Sequence, residues 1–179
     1  MADRFPQEAA LRNGDRVLIR PFTQRDTREL YRFFRRLPPD VRRFAWDPIE
    51  DQALIDSWGA NIDYGQVLPL LAVVGDRIVA DASLHRRKWG PLRLVGRVRW
   101  LMDPAYRGQG LGTVLVNDLI AVARSHGLRH LTCMLMARLE EDAVNTLEGL
   151  GFTAYEYPGY GVDPDGNPHD MVKLVLKLA

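Results

Sequence analysis

The sequence predicts a mixed α+β domain, with a central, mostly antiparallel sheet of about six to seven strands flanked by about four helices. Three observations carry that prediction. Arg97 to Met102 is a short β-branched and aromatic run stopped by Asp103-Pro104, and a glycine-rich turn follows it directly into a helical pattern. Leu68 to Val74 and Arg77 to Leu84 flank the tight turn Gly75-Asp76, the signature of a hairpin. Met171 to Leu178 alternates as Val172, Leu174, Leu176, Leu178, the period of a half-buried strand.

The remaining elements follow from the same rules, taken along the chain. Residues 1–15 are polar and interrupted by proline, and read as a loose lead-in to a single domain over 16–179. Arg16 to Pro21 is a first strand. Thr23 to Asp26 opens a helix whose Leu30, Phe33, Phe34 and Leu37 share one face, and Pro38-Pro39 ends it. Asp51 to Trp58 is a second short helix, and Phe44 and Trp46 before it read as packing residues. After the hairpin and the central strand, Leu111, Leu115, Leu119 and Val122 recur at helical spacing until Gly127. His130 to Met136 is a further strand, Glu140 to Leu150 a last helix, and Phe152 to Tyr157 the strand before the final one. Asp163 to Pro168 is the turn between those last two strands.

Composition narrows the class of function. The 179 residues carry a net charge of +1, which gives no reason to expect nucleic acid or a membrane surface as partner. Cys133 is the only cysteine, so an internal disulfide is impossible and a cytoplasmic location is expected. Its apolar strand context makes it a buried, inert thiol rather than a nucleophile. No metal site is expected from the residue pattern.

The chemistry lies in the turn Arg107-Gly108-Gln109-Gly110-Leu111-Gly112. Glycines let a backbone approach a ligand closely, and a helix beginning there presents free N–H groups to an anion. A P-loop would need a lysine after its last glycine, and the dinucleotide fingerprint needs GxGxxG where this chain reads GxGxG. The same glycines would also serve a plain turn between strand and helix.

R-x-x-G-x-G after a strand that ends in Asp-Pro resembles the coenzyme A pyrophosphate loop of the GNAT superfamily of N-acetyltransferases. The order of elements from Val17 to Leu178 is similar to that whole domain, and Leu150-Gly151-Phe152 resembles a family signature. Arg20-Pro21, Asp26, Phe33-Phe34, Leu37, Pro39 and Phe44 also resemble the catalytic domain of bacterial protein lysine acetyltransferases. The resemblance implies a sheet splayed between the central strand and the strand His130 to Met136. It implies acetyl-CoA as acyl donor, with main-chain contacts from Trp100, Leu101 and Met102 and a pyrophosphate held by Arg107, Gly108, Gln109, Gly110, Leu111, Gly112 and Thr113. It further implies direct acetyl transfer to a primary amine, on a small molecule or a protein lysine.

Acetyl transfer needs an oxyanion donor, for which the Met102 N–H serves, and a base for the amine. Here the chain departs from the family. The glutamate common early in the central strand is replaced by Gly96 and Arg97, the asparagine at the start of the last helix aligns with Glu140, and the usual tyrosine acid aligns with Leu147. Glu140 and His85 are the candidate bases, each with a plainer reading: Glu140 as a helix-terminus carboxylate, His85 as a half-exposed strand residue beside Asp81 and Ser83. Tyr155, Tyr157 and Tyr160 are candidate proton donors. Without those family residues, an acyl-CoA-binding module that no longer catalyses transfer is the alternative, acting as a sensor or regulatory partner. The last hairpin offers an edge for a homodimer.

Overall fold

Val17 and Ile19 point to one face of Arg16–Pro21, and both are fully buried where this strand, β2, joins the sheet. The computed structural model describes residues 4–178. The sheet has eight strands in the order β1-β2-β3-β4-β5-β6-β8-β7. They are β1 (Gln7–Ala10), β2 (Arg16–Pro21), β3 (Val67–Val74), β4 (Arg77–His85), β5 (Val95–Met102), β6 (His130–Met136), β7 (Thr153–Val162) and β8 (Pro168–Lys177). Every neighbouring pair is antiparallel except β5 with β6.

Five helices cover the two faces: α1 (Thr27–Arg36), α2 (Pro39–Arg42), α3 (Gln52–Ala60), α4 (Leu111–Ser125) and α5 (Glu141–Gly149). One core lies between the sheet and α4, built on Leu111, Leu115, Val116 and Leu119 against Leu84, Val98 and Leu131. A second lies under α1 and α3, where Leu30, Phe33, Phe34 and Ile55 meet Leu71, Val73 and Ile78. Alternation along β4 and β5 decides which core each residue serves, and leaves Asp81, Ser83 and His85 on the face of α1 and α3.

Two features were not expected from the sequence. The segment read as a lead-in contributes β1, and Phe5 and Leu11 beside it are buried; residues 1–3 lie outside the described part. The proline pair that stops α1 also starts the single turn α2, because proline is pre-set for the first helical position.

A bidentate ion pair fastens β2 to the start of α1. Arg20 donates from Nη1 and Nη2 to the two oxygens of Asp26 at 2.8 and 2.7 Å, and Asp26 also accepts the Thr23 N–H and hydroxyl. Burial pushes the Asp26 carboxyl up, but Arg20 and Thr23 together outweigh it and hold the group below the ordinary carboxylate range. The unfolded chain therefore takes up this proton at higher pH than the folded one, and the stabilisation is present above the ordinary aspartate value and lost as pH falls from there through the lower value of the folded state. Asp26→Asn is expected to cost about 2 kcal/mol at neutral pH. Its thermal midpoint, followed from pH 7 to 3, should fall less steeply than that of the parent.

Candidate active site

The site begins where the sheet comes apart. Val95, Gly96 and Arg97 pair in parallel with His130, Leu131 and Thr132, and the two strands separate beyond that point. Val98 to Met102 stay paired with β4, and Cys133 to Met136 with β8, so the gap is bordered by two strand edges. Along a paired strand, main-chain groups alternate between the two sides. Asp103 donates to the Val79 carbonyl on the β4 side, which commits Leu101 to β4 as well and turns the main chain of Trp100 and Met102 into the gap. Leu101 thus departs from its expected role, since its main chain faces β4 and only its side chain reaches the cavity.

The glycine turn closes one end of the gap. Asp103 caps a short turn over Pro104–Tyr106, and Gly108 and Gly110 then adopt φ of +69° and +88°, conformations that favour glycine. A Cβ at either position would meet nothing within 4 Å, so the space in front of the turn is open. Val114 is the first residue of α4 to donate within the helix, to the Gly110 carbonyl. The N–H groups of Leu111, Gly112 and Thr113 precede it, and Gly110 has no side chain to cap them. This is a cradle for an anion. Arg12, which the sequence reading left in the lead-in, braces it: its N–H donates to the Gln109 carbonyl at 3.1 Å and its Nη1 to the Gly108 carbonyl at 3.3 Å.

Glu140 stands at the mouth of the gap. Its Oε2 accepts the Met136 N–H at 2.7 Å, so the carboxylate satisfies the unpaired edge of β6 rather than the free N–H groups of α5. Burial raises the Glu140 carboxyl above the ordinary glutamate range, against the opposing pulls of the Met136 N–H and Arg107. Cys133, on the same strand β6, is buried, and burial followed by the nearby Glu140 holds its thiol well above the ordinary range.

A cavity of about 770 Å³ joins this cradle to the face of β4 and β5 under α1 and α3. Gly108, Gly110, Thr113 and Glu140 line one end, and Asp81, His85, Arg97 and Trp46 the other. Asp81, Ser83 and His85 lie opposite Leu101, Arg99 and Arg97 along the β4–β5 ladder. Arg99 binds Asp47 at 2.9 Å and lies 5.1 Å from the centroid of the Trp46 ring. Trp46 is 53% exposed and Phe44 half-buried, so these aromatics form cavity wall rather than core, because the chain after α2 passes over the sheet without a helix to bury them.

The titratable groups of that wall differ sharply. His85 is pushed down to about 4 by burial and by Arg99 and Arg97, and its Nε2 lies 2.9 Å from the Ser83 hydroxyl. Asp81 is pushed up to about 7 by burial and by Asp47. Its Oδ1 is buried and, among the described residues, finds no hydrogen-bond partner. Tyr155, Tyr157 and Tyr160 stand apart from the cavity, exposed on β7 at the edge of the sheet, and Leu147 is fully buried in the α4 core. Asp81 was visible in the sequence as a carboxylate sharing a strand face with Ser83 and His85, but nothing in the run placed it on a cavity.

The splayed parallel pair thus lies beside the glycine-capped start of α4. The sequence pattern of the Acetyltransferase (GNAT) family matches residues 25–152. The chain belongs to the GNAT acetyltransferase family. An acetyltransferase of Pseudomonas aeruginosa is 31% identical over 138 residues, which are 68% of this chain and 67% of that protein. Among solved structures, the GNAT domain of S. lividans PAT superposes with a TM-score of 0.78 over 97% of each chain at 21% identity. The putative acetyltransferase yncA from Salmonella typhimurium, solved with acetyl-CoA, gives a TM-score of 0.77 over 91% of this chain and 94% of its own, again at 21% identity. These likenesses extend the GNAT fold over nearly the whole described chain.

Proposed function

We propose that this GNAT protein transfers the acetyl group of acetyl-CoA directly to a primary amine, on a small molecule or a protein lysine, with both substrates bound together. The observation that carries this reading is the continuity of the cavity between the glycine turn and the face of Asp81 and His85. A donor held at one end and an acceptor at the other meet in the gap without a covalent enzyme intermediate, which Cys133 is too buried and too firmly protonated to form.

In this reading Arg107 and the N–H groups of Gly108 to Thr113 hold the pyrophosphate, with Gln109 and Leu111 contributing main chain only. Trp100 and Met102 offer main-chain partners to the pantetheine arm, and the Met102 N–H receives the developing oxyanion. Between the two bases chosen from sequence, Glu140 is the better matched, since a group pushed down to about 4, as His85 is, makes a weak base for an ammonium. A cytoplasmic location accords with the single buried thiol. The exposed tyrosines on the β7 edge suit a homodimer formed edge to edge.

The fully buried Leu147 at the family's tyrosine position favours a second reading, a module that binds acyl-CoA without transferring it. Calorimetric titration with acetyl-CoA, followed by thiol release on adding amines, separates the two. Binding with thiol release supports the transferase, binding without release supports the module, and absence of binding removes both.

A further inference from the structure

We propose that Asp81 is the acceptor subsite of this enzyme: its carboxylate receives the ammonium of a primary amine carried on an apolar stem, and takes the proton that frees the amine for attack. The inference rests on the transferase reading above and names a residue that none of the family positions supplies.

The geometry carries it. Asp81 faces Leu101 across the β4–β5 ladder, one residue from Met102, whose main chain opens into the gap. A ligand at Asp81 is therefore adjacent to the donor edge of β5. One carboxylate oxygen is buried without a partner among the described residues, an arrangement that is unfavourable unless a ligand supplies the missing donor. Among the described residues no arginine or lysine pairs with Asp81; Arg99, the cation across the neighbouring rung, is engaged with Asp47. Leu30, Phe34, Trp58 and Ile62 line the same cavity and offer apolar contact to an aliphatic or aromatic stem.

The surroundings of Asp81 fix how it titrates. Ser83 and His85 lie on its own strand, Arg99 and Arg97 stand opposite those two on β5, and Asp47 approaches from the segment after α2. Asp40 and Asp63 line the same cavity from α2 and the α3–β3 connection, while β3 contributes the apolar Leu71 opposite Asp81. Burial and Asp47 push the group up to about 7, near the value that suits a base working at neutrality.

The step balances as follows. Asp81 accepts one proton from the bound ammonium, and the nitrogen lone pair forms a bond to the thioester carbonyl carbon. The carbon–sulfur bond then breaks, and the sulfur leaves with its electron pair. The second proton lost by the nitrogen passes to that thiolate, and Asp81 returns its own proton to solvent. The products are the N-acetyl amine, coenzyme A and one proton.

The test follows thiol release from acetyl-CoA with hexylamine, phenethylamine and Nα-acetyl-lysinamide from pH 5.5 to 9.5, for the parent, Asp81→Asn and Asp47→Asn. In the parent, kcat/KM should rise through pH about 7 as Asp81 ionises and then level off. Asp81→Asn should bind acetyl-CoA as before and lose about 10²-fold or more in kcat/KM. Its profile should climb without a plateau toward the amine's own pKa. Asp47→Asn removes a neighbouring negative charge and should move the parent's inflection to lower pH, which does not depend on Asp81→Asn folding well. Turnover with an unchanged rate and profile in Asp81→Asn, or an unmoved inflection in Asp47→Asn, overturns the assignment of Asp81. Acetyl-CoA binding by the parent with no release from any amine overturns the transferase reading itself.

Discussion

Gly110→Glu is expected to abolish acetyl-CoA binding in calorimetric titration while the protein stays folded. At φ +88° a side chain sits in the left-handed region, which costs about 1–2 kcal/mol for a residue other than glycine. The position is open, since a Cβ there meets nothing within 4 Å, so no clash is added to that strain. For a domain of this size, about 1–2 kcal/mol lowers the melting midpoint by only a few degrees. The effect on binding is of another order. The new carboxylate projects into the space in front of the free N–H groups of Leu111, Gly112 and Thr113, where it competes with a phosphate for the same donors and repels it. Affinity should fall by at least about 10²-fold, the loss of one to two charge-assisted contacts. Gly110→Ala separates the two contributions: it carries the backbone strain without the charge, and should weaken binding only severalfold. Equal binding by Gly110→Glu and the parent would remove the turn from the site.

How much of this was legible in the sequence depends on the range of the signal. Arg16 to Pro21, His130 to Met136 and the helix after Gly110 were readable to within a residue or two, because periodicity and glycine placement are local. The glycine turn was readable for the same reason. β1 was not, because Gln7–Ala10 has no strand pattern of its own and is held by pairing with β2. The end of the cavity at Asp81 and His85 was the least legible part. Trp46 resembles a core residue in composition, and its exposure follows from the path of the chain after α2. Asp81 stood four residues from His85 on the same strand face, yet only the ladder with β5 shows that it faces Leu101, beside the gap. The partition of donor contacts between Trp100 and Met102 on one side and Leu101 on the other likewise needs the ladder, since a shift of one residue reverses it.

The departure from the family glutamate yields the second large effect, because the two residues in that region face opposite ways. Gly96 points into the core between the sheet and α4, where an added Cβ would lie 2.8 Å from Leu131 Cδ2, 2.8 Å from Leu84 Cδ1 and 2.9 Å from Leu128 Cδ1. Arg97, one residue on, is exposed and lines the cavity. Gly96→Glu must therefore displace three leucine side chains and bury a carboxylate without a partner. Overpacking alone costs about 1–3 kcal/mol, and an uncompensated buried charge adds about 3–5 kcal/mol. Against a total stability of about 5–15 kcal/mol, that leaves the variant marginal or unfolded. Arg97→Glu puts the same carboxylate on the cavity wall and should leave the melting midpoint near that of the parent, since substitutions at exposed positions typically change stability by about 0.5 kcal/mol or less. Thermal unfolding of the two variants side by side reads the difference directly. A Gly96→Glu protein as stable as Arg97→Glu would mean that β5 can shift its register by one residue, and with it the main-chain partners offered to the gap.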